Sequence, residues 1–165
     1  MERNGVIMPI LEKDLSTART AWGNGLLEIS KSFETDGIEV ARKVAGKMLD
    51  TLYGFDLGQV LFKPTLSSGS QTFRPTKEGA LSYYTGQNSV YPNDVGFGVL
   101  SWREFNSNTS AIFIDDTVAM WMGSFTLIDR DGKVTKVEKS WGYKLDDDGN
   151  LRIMLHHSSI PYEIK

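Results

Sequence analysis

Residues 117–159 decide the fold, and their sequence is TVAMWMGSFTLIDRDGKVTKVEKSWGYKLDDDGNLRIMLHHSS. Two turns rich in Asp and Gly, at 129–132 and 147–150, divide this stretch into three runs rich in apolar and β-branched residues. Turns of this composition join antiparallel neighbours. The stretch therefore predicts a meander of three antiparallel strands, over 117–128, 133–145 and 151–159.

The residues at the start of the chain predict two helices. Apolar side chains at roughly helical spacing predict the first helix over 16–34, although Gly23 and Gly25 weaken the pattern. Residues 36–39, with the sequence DGIE, have the pattern of a capping box. One apolar stripe follows the box, so we expect a second helix that ends at Gly54.

The middle of the chain predicts short elements and connections. We expect a strand over 59–62 and a short helix that Thr76 caps and that stops at Gly86. Two more runs of strand-forming residues lie at 98–105 and 110–114, just before the meander. The order of elements is therefore helices first and strands second.

Alternation along the strands predicts which face each one buries. In the first strand of the meander one face carries Ala119, Trp121, Phe125 and Leu127, and the other carries Val118, Met120, Met122 and Ser124. Because both faces are apolar, we expect both to be buried. The helices can pack against only one face of the sheet. This predicts a homodimer formed across the sheet.

The second strand of the meander has one polar face, which we expect to be exposed to solvent. Val137, Trp141, Tyr143 and Leu145 face away from Lys136, Glu138 and Lys144. Helices packed on one face of a curved antiparallel sheet form an α+β cone with an enclosed pocket. We expect the chemistry of the protein to lie in that pocket.

The composition is that of one globular domain. Of the 165 residues, 40% are hydrophobic and 24% are charged. We expect a single domain over 16–165, preceded by an N-terminal extension over 1–15. The net charge is −3 and the Lys and Arg residues are scattered singly, so no nucleic-acid partner is expected.

Membrane and targeting signals are missing from the sequence. There is no stretch of about 18 apolar residues and no apolar run near Met1 of the kind that a signal peptide needs. We therefore expect no membrane partner and a soluble protein, in the cytoplasm or, if a transit peptide has been removed, in the plastid stroma.

Metal-binding residues are scarce. The chain has no Cys and two His, which are adjacent at His156 and His157. Alternation in the last strand places His156 and Ser158 on one face and His157 and Ser159 on the other, so the two His cannot chelate one ion together. The acidic turn at 146–150 lacks the ligand spacing of a calcium loop. We expect no cofactor.

Several motifs, in order, resemble the iota-class carbonic anhydrases over roughly residues 16–162. The most specific is His156-His157-Ser158-Ser159, which Ile160-Pro161 follow. The others are Phe62-Lys63-Pro64-Thr65, Phe73-Arg74-Pro75-Thr76, Gly79-Ala80-Leu81-Ser82-Tyr83 and Trp141-Gly142-Tyr143. The resemblance implies a domain similar to the association domain of calcium/calmodulin-dependent protein kinase II, in the nuclear-transport-factor-2-like (NTF2-like) superfamily.

The resemblance also implies an activity, the interconversion of CO₂ and bicarbonate. Members described as metal-free hold bicarbonate with Thr, Tyr, His and Ser side chains inside the cone. By motif position these are Thr65, Tyr83, His156 and Ser158, which become the candidate catalytic and bicarbonate-binding residues. Other members are described as using manganese or zinc, so the family alone does not decide metal dependence.

The chemistry of these residues favours the metal-free reaction. Hydroxyl groups both donate and accept, so they can hold water and bicarbonate. Among the candidate residues, His156 is the one whose side chain has an ordinary pKa, about 6.5, that suits proton transfer near neutrality. The apolar side chains expected to receive CO₂ and to strengthen these hydrogen bonds by lowering the local dielectric constant are Phe62, Leu81, Trp121 and Met154.

Two other functions stay open at this point. The first is a non-catalytic assembly or small-ligand-binding domain, because one fold serves many functions. The second is a pocket enzyme of the isomerase or cyclase type, which would need a buried Asp or Glu as a base. The segments expected to form the pocket offer none.

Overall fold

A computed structural model describes residues 8–165, which form three helices and a five-stranded sheet. The helices are α1 (Glu12–Asp36), α2 (Ile38–Leu52) and α3 (Lys77–Thr85), and the strands are β1 (Leu61–Lys63), β2 (Trp102–Asp115), β3 (Val118–Asp129), β4 (Val134–Leu145) and β5 (Leu151–Ser159). Short 3₁₀ turns lie at Gly69–Gln71 and Phe97–Val99. The strand order is β1-β5-β4-β3-β2. The predicted α+β class and the meander of β3, β4 and β5 are confirmed.

The predicted strands before the meander differ from the structure in two ways. The two runs at 98–105 and 110–114 are one strand, β2, because the polar residues between them also pair with β3 across an irregularity between Thr109 and Ala111. The short strand begins at Leu61 rather than at residue 59. It pairs parallel to β5, with Phe62 opposite His156.

Helix α1 is longer than the predicted helix at both ends. It begins at Glu12, where the Asp14 carboxylate accepts a hydrogen bond of 2.8 Å from the backbone N–H of Leu11. Ile10 and Leu15 are buried in the core, and the N–H of Ile10 donates to the carbonyl of Asp116 at 3.1 Å. Ile10 and Leu15 therefore anchor the segment around the start of α1 in the core.

The predicted capping box at the start of α2 is wrong. Asp36 is the last residue of α1, and Gly37 alone links the two helices with a φ of 85°. No side chain caps the N-terminus of α2. A one-residue link leaves no position for a capping side chain, and its left-handed backbone favours glycine. The predicted cap of α3 is confirmed, because Thr76 Oγ1 accepts from the N–H of Gly79 at 3.3 Å.

The glycines that weakened the prediction of α1 are explained by close packing. A side chain at Gly23 would overlap the ring of Phe105 on β2. A Cβ atom at Gly25 would lie 2.6 Å from the Met48 sulfur on α2. Helix α1 therefore approaches both the sheet and α2 more closely than a helix with larger residues at these positions could.

The inner face of the sheet packs against the helices and forms one core. The predicted inward residues of β3, namely Ala119, Trp121, Phe125 and Leu127, are all buried. Trp22 of α1 packs edge-on against Phe125 and Trp141, with ring centroids 5.2 and 5.3 Å apart. The outer face is not covered within one chain, since Met120 and Met122 are 47% and 55% exposed. Within residues 8–165, no helix is both long and apolar enough to cross a membrane.

A buried ion pair fastens the connections around α3. Arg74 and Asp94 are 3% and 5% exposed and are joined by two hydrogen bonds of 2.7 and 2.8 Å. Ser82 of α3 also donates to Asp94 at 2.7 Å, and Arg74 donates to the carbonyl of Gly79 at 2.9 Å. The pair therefore ties the loop that follows β1 to α3 and to the loop that follows α3.

We expect Asp94→Ala to lower the free energy of unfolding by about 3–5 kcal/mol, because it leaves the Arg74 guanidinium buried without its partner. Urea denaturation measures the change. The matched control is Glu39→Ala, which removes the exposed partner of Arg42 and should change stability by less than about 1 kcal/mol. Equal effects of the two variants would show that burial of the Arg74 pair is unimportant.

Candidate active site

The four candidate residues come from three elements and meet inside the cone. Thr65 follows β1, Tyr83 lies on α3, and His156 and Ser158 lie on β5. All four are buried, with exposed fractions between 0% and 9%. Thr65 Oγ1 and Ser158 Oγ share a hydrogen bond of 2.7 Å. The Tyr83 hydroxyl accepts from the N–H of Leu66, the residue after Thr65, at 3.3 Å.

The predicted alternation at the end of β5 agrees with the structure. His156 and Ser158 are 1% and 0% exposed and face the interior. His157 is exposed and Ser159 is partly exposed on the outer face, and both line a groove there with Met122. The irregularity in the pairing of β5 lies at Gly142 and Tyr143 of β4, away from the strand end, so it does not change the faces of these residues.

Two tyrosines and a tryptophan that the sequence analysis did not select hold His156 in place. A hydrogen bond of 2.9 Å joins the Tyr53 hydroxyl to His156 Nδ1, and one of 2.7 Å joins Tyr53 to the Tyr84 hydroxyl. Trp22 Nε1 donates to both hydroxyls, at 3.1 and 3.2 Å. The Phe62 ring stacks on the imidazole with ring centroids 4.7 Å apart. Nothing in the sequence marks these residues, because α1, the residue after α2 and α3 bring them together from distant positions.

Lys139 is a fourth residue that the sequence analysis missed. Its ammonium nitrogen lies 3.1 Å from His156 Nε2 and 3.1 Å from Ser158 Oγ, and the residue is 3% exposed. It also lies 4.5 Å from the centre of the Trp22 ring. The sequence does indicate that Lys139 faces inward, because alternation along β4 places it on the same face as Val137 and Trp141.

Burial shifts the proton affinities of the site. Desolvation and the nearby Lys139 lower the pKa of His156 well below its ordinary value, so its imidazole is neutral near pH 7. Desolvation lowers the pKa of Lys139 from 10.5 to about 7. The ordinary pKa of about 6.5, which suggested His156 for proton transfer, therefore does not apply at this position, because a charge on this ring would be buried. Burial raises the pKa of Tyr83, which keeps its phenol protonated.

The side chains of the site surround a narrow, closely packed cavity. Its walls are Trp22, Phe62, Pro64, Thr65, Tyr83, Tyr84, Phe97, Lys139 and His156. The described residues that line it include no Asp or Glu, the base that an isomerase or cyclase would need. Across residues 8–165, no group of three or more His, Asp and Glu side chains is placed to hold a metal ion.

One of the four apolar residues expected to receive CO₂ lines this cavity, and three do not. Phe62 is part of the wall. Leu81 lines a different groove on the outer side of α3, and Met154 packs toward Gly54. Trp121 is buried deeper, against the rings of Phe125 and Trp141. Trp22, Pro64 and Phe97 supply the apolar wall in their place.

Comparison with known proteins identifies the family. The family described as metal-independent carbonic anhydrase matches residues 13–160. A protein named metal-independent carbonic anhydrase, from Nostoc sp. strain PCC 7120, is 44% identical over 154 residues, which are 93% of this chain and 75% of that protein. The chain belongs to the metal-independent carbonic anhydrase family.

Solved structures agree with this assignment. The crystal structure of a cyanobacterial iota-carbonic anhydrase complexed with bicarbonate is 41% identical, with a TM-score of 0.95, and covers 99% of this chain and 100% of that chain. A structure described as a calcium/calmodulin dependent protein kinase II association domain, from Xanthomonas campestris, has a TM-score of 0.62 at 20% identity over 99% of both chains. An NTF2-like protein from Pseudomonas putida has a TM-score of 0.55 at 9% identity over 93% of this chain and 89% of that one. The predicted iota-class resemblance and NTF2-like fold are confirmed.

Proposed function

We propose that this protein catalyses the reversible hydration of CO₂ to bicarbonate and a proton, without a metal cofactor, in the cavity beside the end of β5. The observation that carries this proposal is the hydroxyl pair of Thr65 and Ser158, 2.7 Å apart and buried beside His156. The 44% identical relative is named a carbonic anhydrase, and the similar cyanobacterial structure is described as a complex with bicarbonate.

The hydroxyl groups position water and bicarbonate. Each can donate one hydrogen bond and accept others, so Thr65 and Ser158 together can hold a water molecule and later an oxygen of bicarbonate. The protonated phenol of Tyr83 supplies a further donor for the negative charge that develops on oxygen. These donors are fixed by the fold before the reaction, which lowers the cost of reorganisation in the transition state.

The remaining walls supply an apolar surface and proton acceptors. Trp22, Phe62 and Phe97 offer CO₂ a surface that excludes water, and low polarity around the site strengthens each hydrogen bond within it. His156 presents a neutral imidazole whose Nε2 faces the Lys139 nitrogen. Among the described residues that line the cavity, these two side chains carry the nitrogen atoms able to take up a proton from water.

We expect hydration activity to survive exhaustive chelation, because the proposed binding groups are hydroxyls and one neutral imidazole rather than a cluster of metal ligands. Metal analysis of the chelated protein and a stopped-flow CO₂ hydration assay on the same sample test this. Loss of activity with the metal, followed by recovery on adding zinc or manganese, would contradict the proposed mechanism while leaving the activity itself standing.

Replacement of the four candidate residues should lower hydration activity. We expect each of Thr65→Ala, Tyr83→Phe, His156→Ala and Ser158→Ala to reduce kcat/KM by about 10²-fold or more, because each removes a donor or acceptor of the proposed site. Stopped-flow assays on variants shown to be folded by circular dichroism measure the effect. His157→Ala and Ser159→Ala are the matched controls, since they remove the same side chains from the outer face of β5. Full activity in all four inner variants would exclude this site.

We also propose that two copies pair through the outer face of the sheet. Val118, Met120 and Met122 leave an apolar strip of β3 between 43% and 55% exposed, which is costly for an isolated chain. Light scattering at micromolar concentration should give twice the mass of one chain. Met122→Lys should shift the mass toward the monomer, whereas Val90→Lys, on an exposed loop, should not. A monomeric parent protein would refute this proposal.

The location of the protein in the cytoplasm or the plastid stroma stays a prediction from the sequence. Imaging of the tagged full-length protein in its source organism tests it.

A further inference from the structure

Lys139 is a buried amine without an acidic partner. Its two polar neighbours are His156 Nε2 and Ser158 Oγ, both at 3.1 Å, and the rings of Trp22 and Trp141 lie 4.5 and 5.7 Å away. Within the described part of the chain, no carboxylate oxygen lies within 4 Å of its nitrogen. Removing an unpaired ammonium from water is unfavourable, so burial at this position favours the neutral amine.

The hydrogen-bond network also favours the neutral amine. Among the described residues, the Tyr84 hydroxyl proton has one acceptor within reach, the Tyr53 oxygen. Tyr53 must then give its own proton to His156 Nδ1, which places the ring proton of the neutral imidazole on Nε2. That N–H points at the Lys139 nitrogen, and only an uncharged amine has a lone pair to accept it.

From this geometry we propose that Lys139 is the proton acceptor of the hydration step and that its ammonium then holds the bicarbonate product. The inference rests on the proposed carbonic anhydrase activity. It identifies the Lys139 side-chain nitrogen as the atom that takes up the proton released in hydration. It adds a residue to the four that the family motifs indicate.

Hydration transfers one proton from water to Lys139 through the Ser158 hydroxyl. A lone pair of the water oxygen forms the bond to carbon, and one C=O bonding pair moves onto its oxygen. The water proton passes to Ser158 Oγ while the proton of that hydroxyl passes to the Lys139 nitrogen, whose lone pair turns from His156 by rotation about the Cε–Nζ bond. The products are bicarbonate and an ammonium of opposite charge. Bicarbonate leaves, and the ammonium loses its proton to the buffer.

Four of the other titratable groups around Lys139, His156 and three tyrosines, keep one protonation state near neutrality, because burial shifts the pKa of each away from 7. The groups that face it or its hydrogen-bond partners are His156, Tyr53, Tyr83, Tyr84 and Lys63. Burial lowers the pKa of His156 well below its ordinary value and raises the pKa values of the three tyrosines above their ordinary range. Burial also lowers the pKa of Lys63, whose ammonium donates to the backbone carbonyl of Ser158 at 2.9 Å.

The sign of the pH dependence follows from the role. Hydration needs the neutral amine, so kcat/KM should be low at acidic pH, rise around the Lys139 pKa of about 7, and reach a plateau above it. Dehydration of bicarbonate needs the ammonium as the proton donor, so its profile should fall over the same range. These opposite profiles distinguish a proton acceptor from a residue that only fills space.

The experiment compares two replacements of Lys139 with a control on the same strand. Lys139→Met keeps the length but removes the nitrogen, and Lys139→Arg keeps a charge that cannot be given up near neutrality. We expect both to lower hydration kcat/KM by about 10²-fold or more and to remove the inflection near pH 7. Inhibition by nitrate, the anion used as a probe, should persist in Lys139→Arg and weaken at least tenfold in Lys139→Met. Lys144→Met, on the exposed side of β4, should match the parent protein.

Parent-like activity in folded Lys139→Arg would overturn the role of proton acceptor, and so would a parent-like pH profile in Lys139→Met. If the variants do not fold, NMR titration of ¹³C-lysine in the parent protein decides, because a Lys139 signal that stays charged up to pH 9 overturns the proposal. An inactive parent protein would instead refute the carbonic anhydrase activity, which separates the two failures.

Discussion

The position of β5 between β1 and β4 is the constraint on which the site depends. Its parallel pairing with β1 places Phe62 beside His156, and its antiparallel pairing with β4 places Trp141 on the other side. The short connection after β1 then brings Thr65 to Ser158. Because the faces of a strand alternate, a shift of one residue in this pairing would turn His156 and Ser158 outward and leave the cavity without its polar groups.

Burial of this arrangement sets the protonation states on which the proposed reaction depends. The aromatic rings around Lys139 and His156 exclude water, and the loss of hydration lowers the pKa of both groups, so neither needs to be charged at rest near neutrality. An exposed lysine would stay protonated and could not accept a proton from water. The same exclusion of water strengthens the hydrogen bonds of the Thr65 and Ser158 hydroxyls. The aromatic core therefore stabilises the fold and sets the protonation states of the site.

The fold alone does not define this activity. The association-domain structure from Xanthomonas campestris has the same architecture at 20% identity, whereas the cyanobacterial iota-carbonic anhydrase has it at 41% identity. A cone formed by helices on a curved sheet provides a pocket in proteins of many functions. The function depends on the side chains that line that pocket. In this chain those side chains include Tyr83 on α3 and the buried end of β5, which belong to motifs shared with the iota class.

The sequence by itself determined the meander, its turns and the inward direction of His156 and Ser158, because these follow from local turn chemistry and strand alternation. The family motifs added Thr65 and Tyr83. Only the tertiary structure decided that two predicted strand runs form one continuous β2, since its polar middle is stabilised by pairing with β3. It also decided the Tyr53–Tyr84 network and the state of Lys139. Hydrogen bonds between residues 31 to 103 positions apart, and a pKa set by desolvation, depend on which distant side chains surround an atom, and no local pattern encodes that.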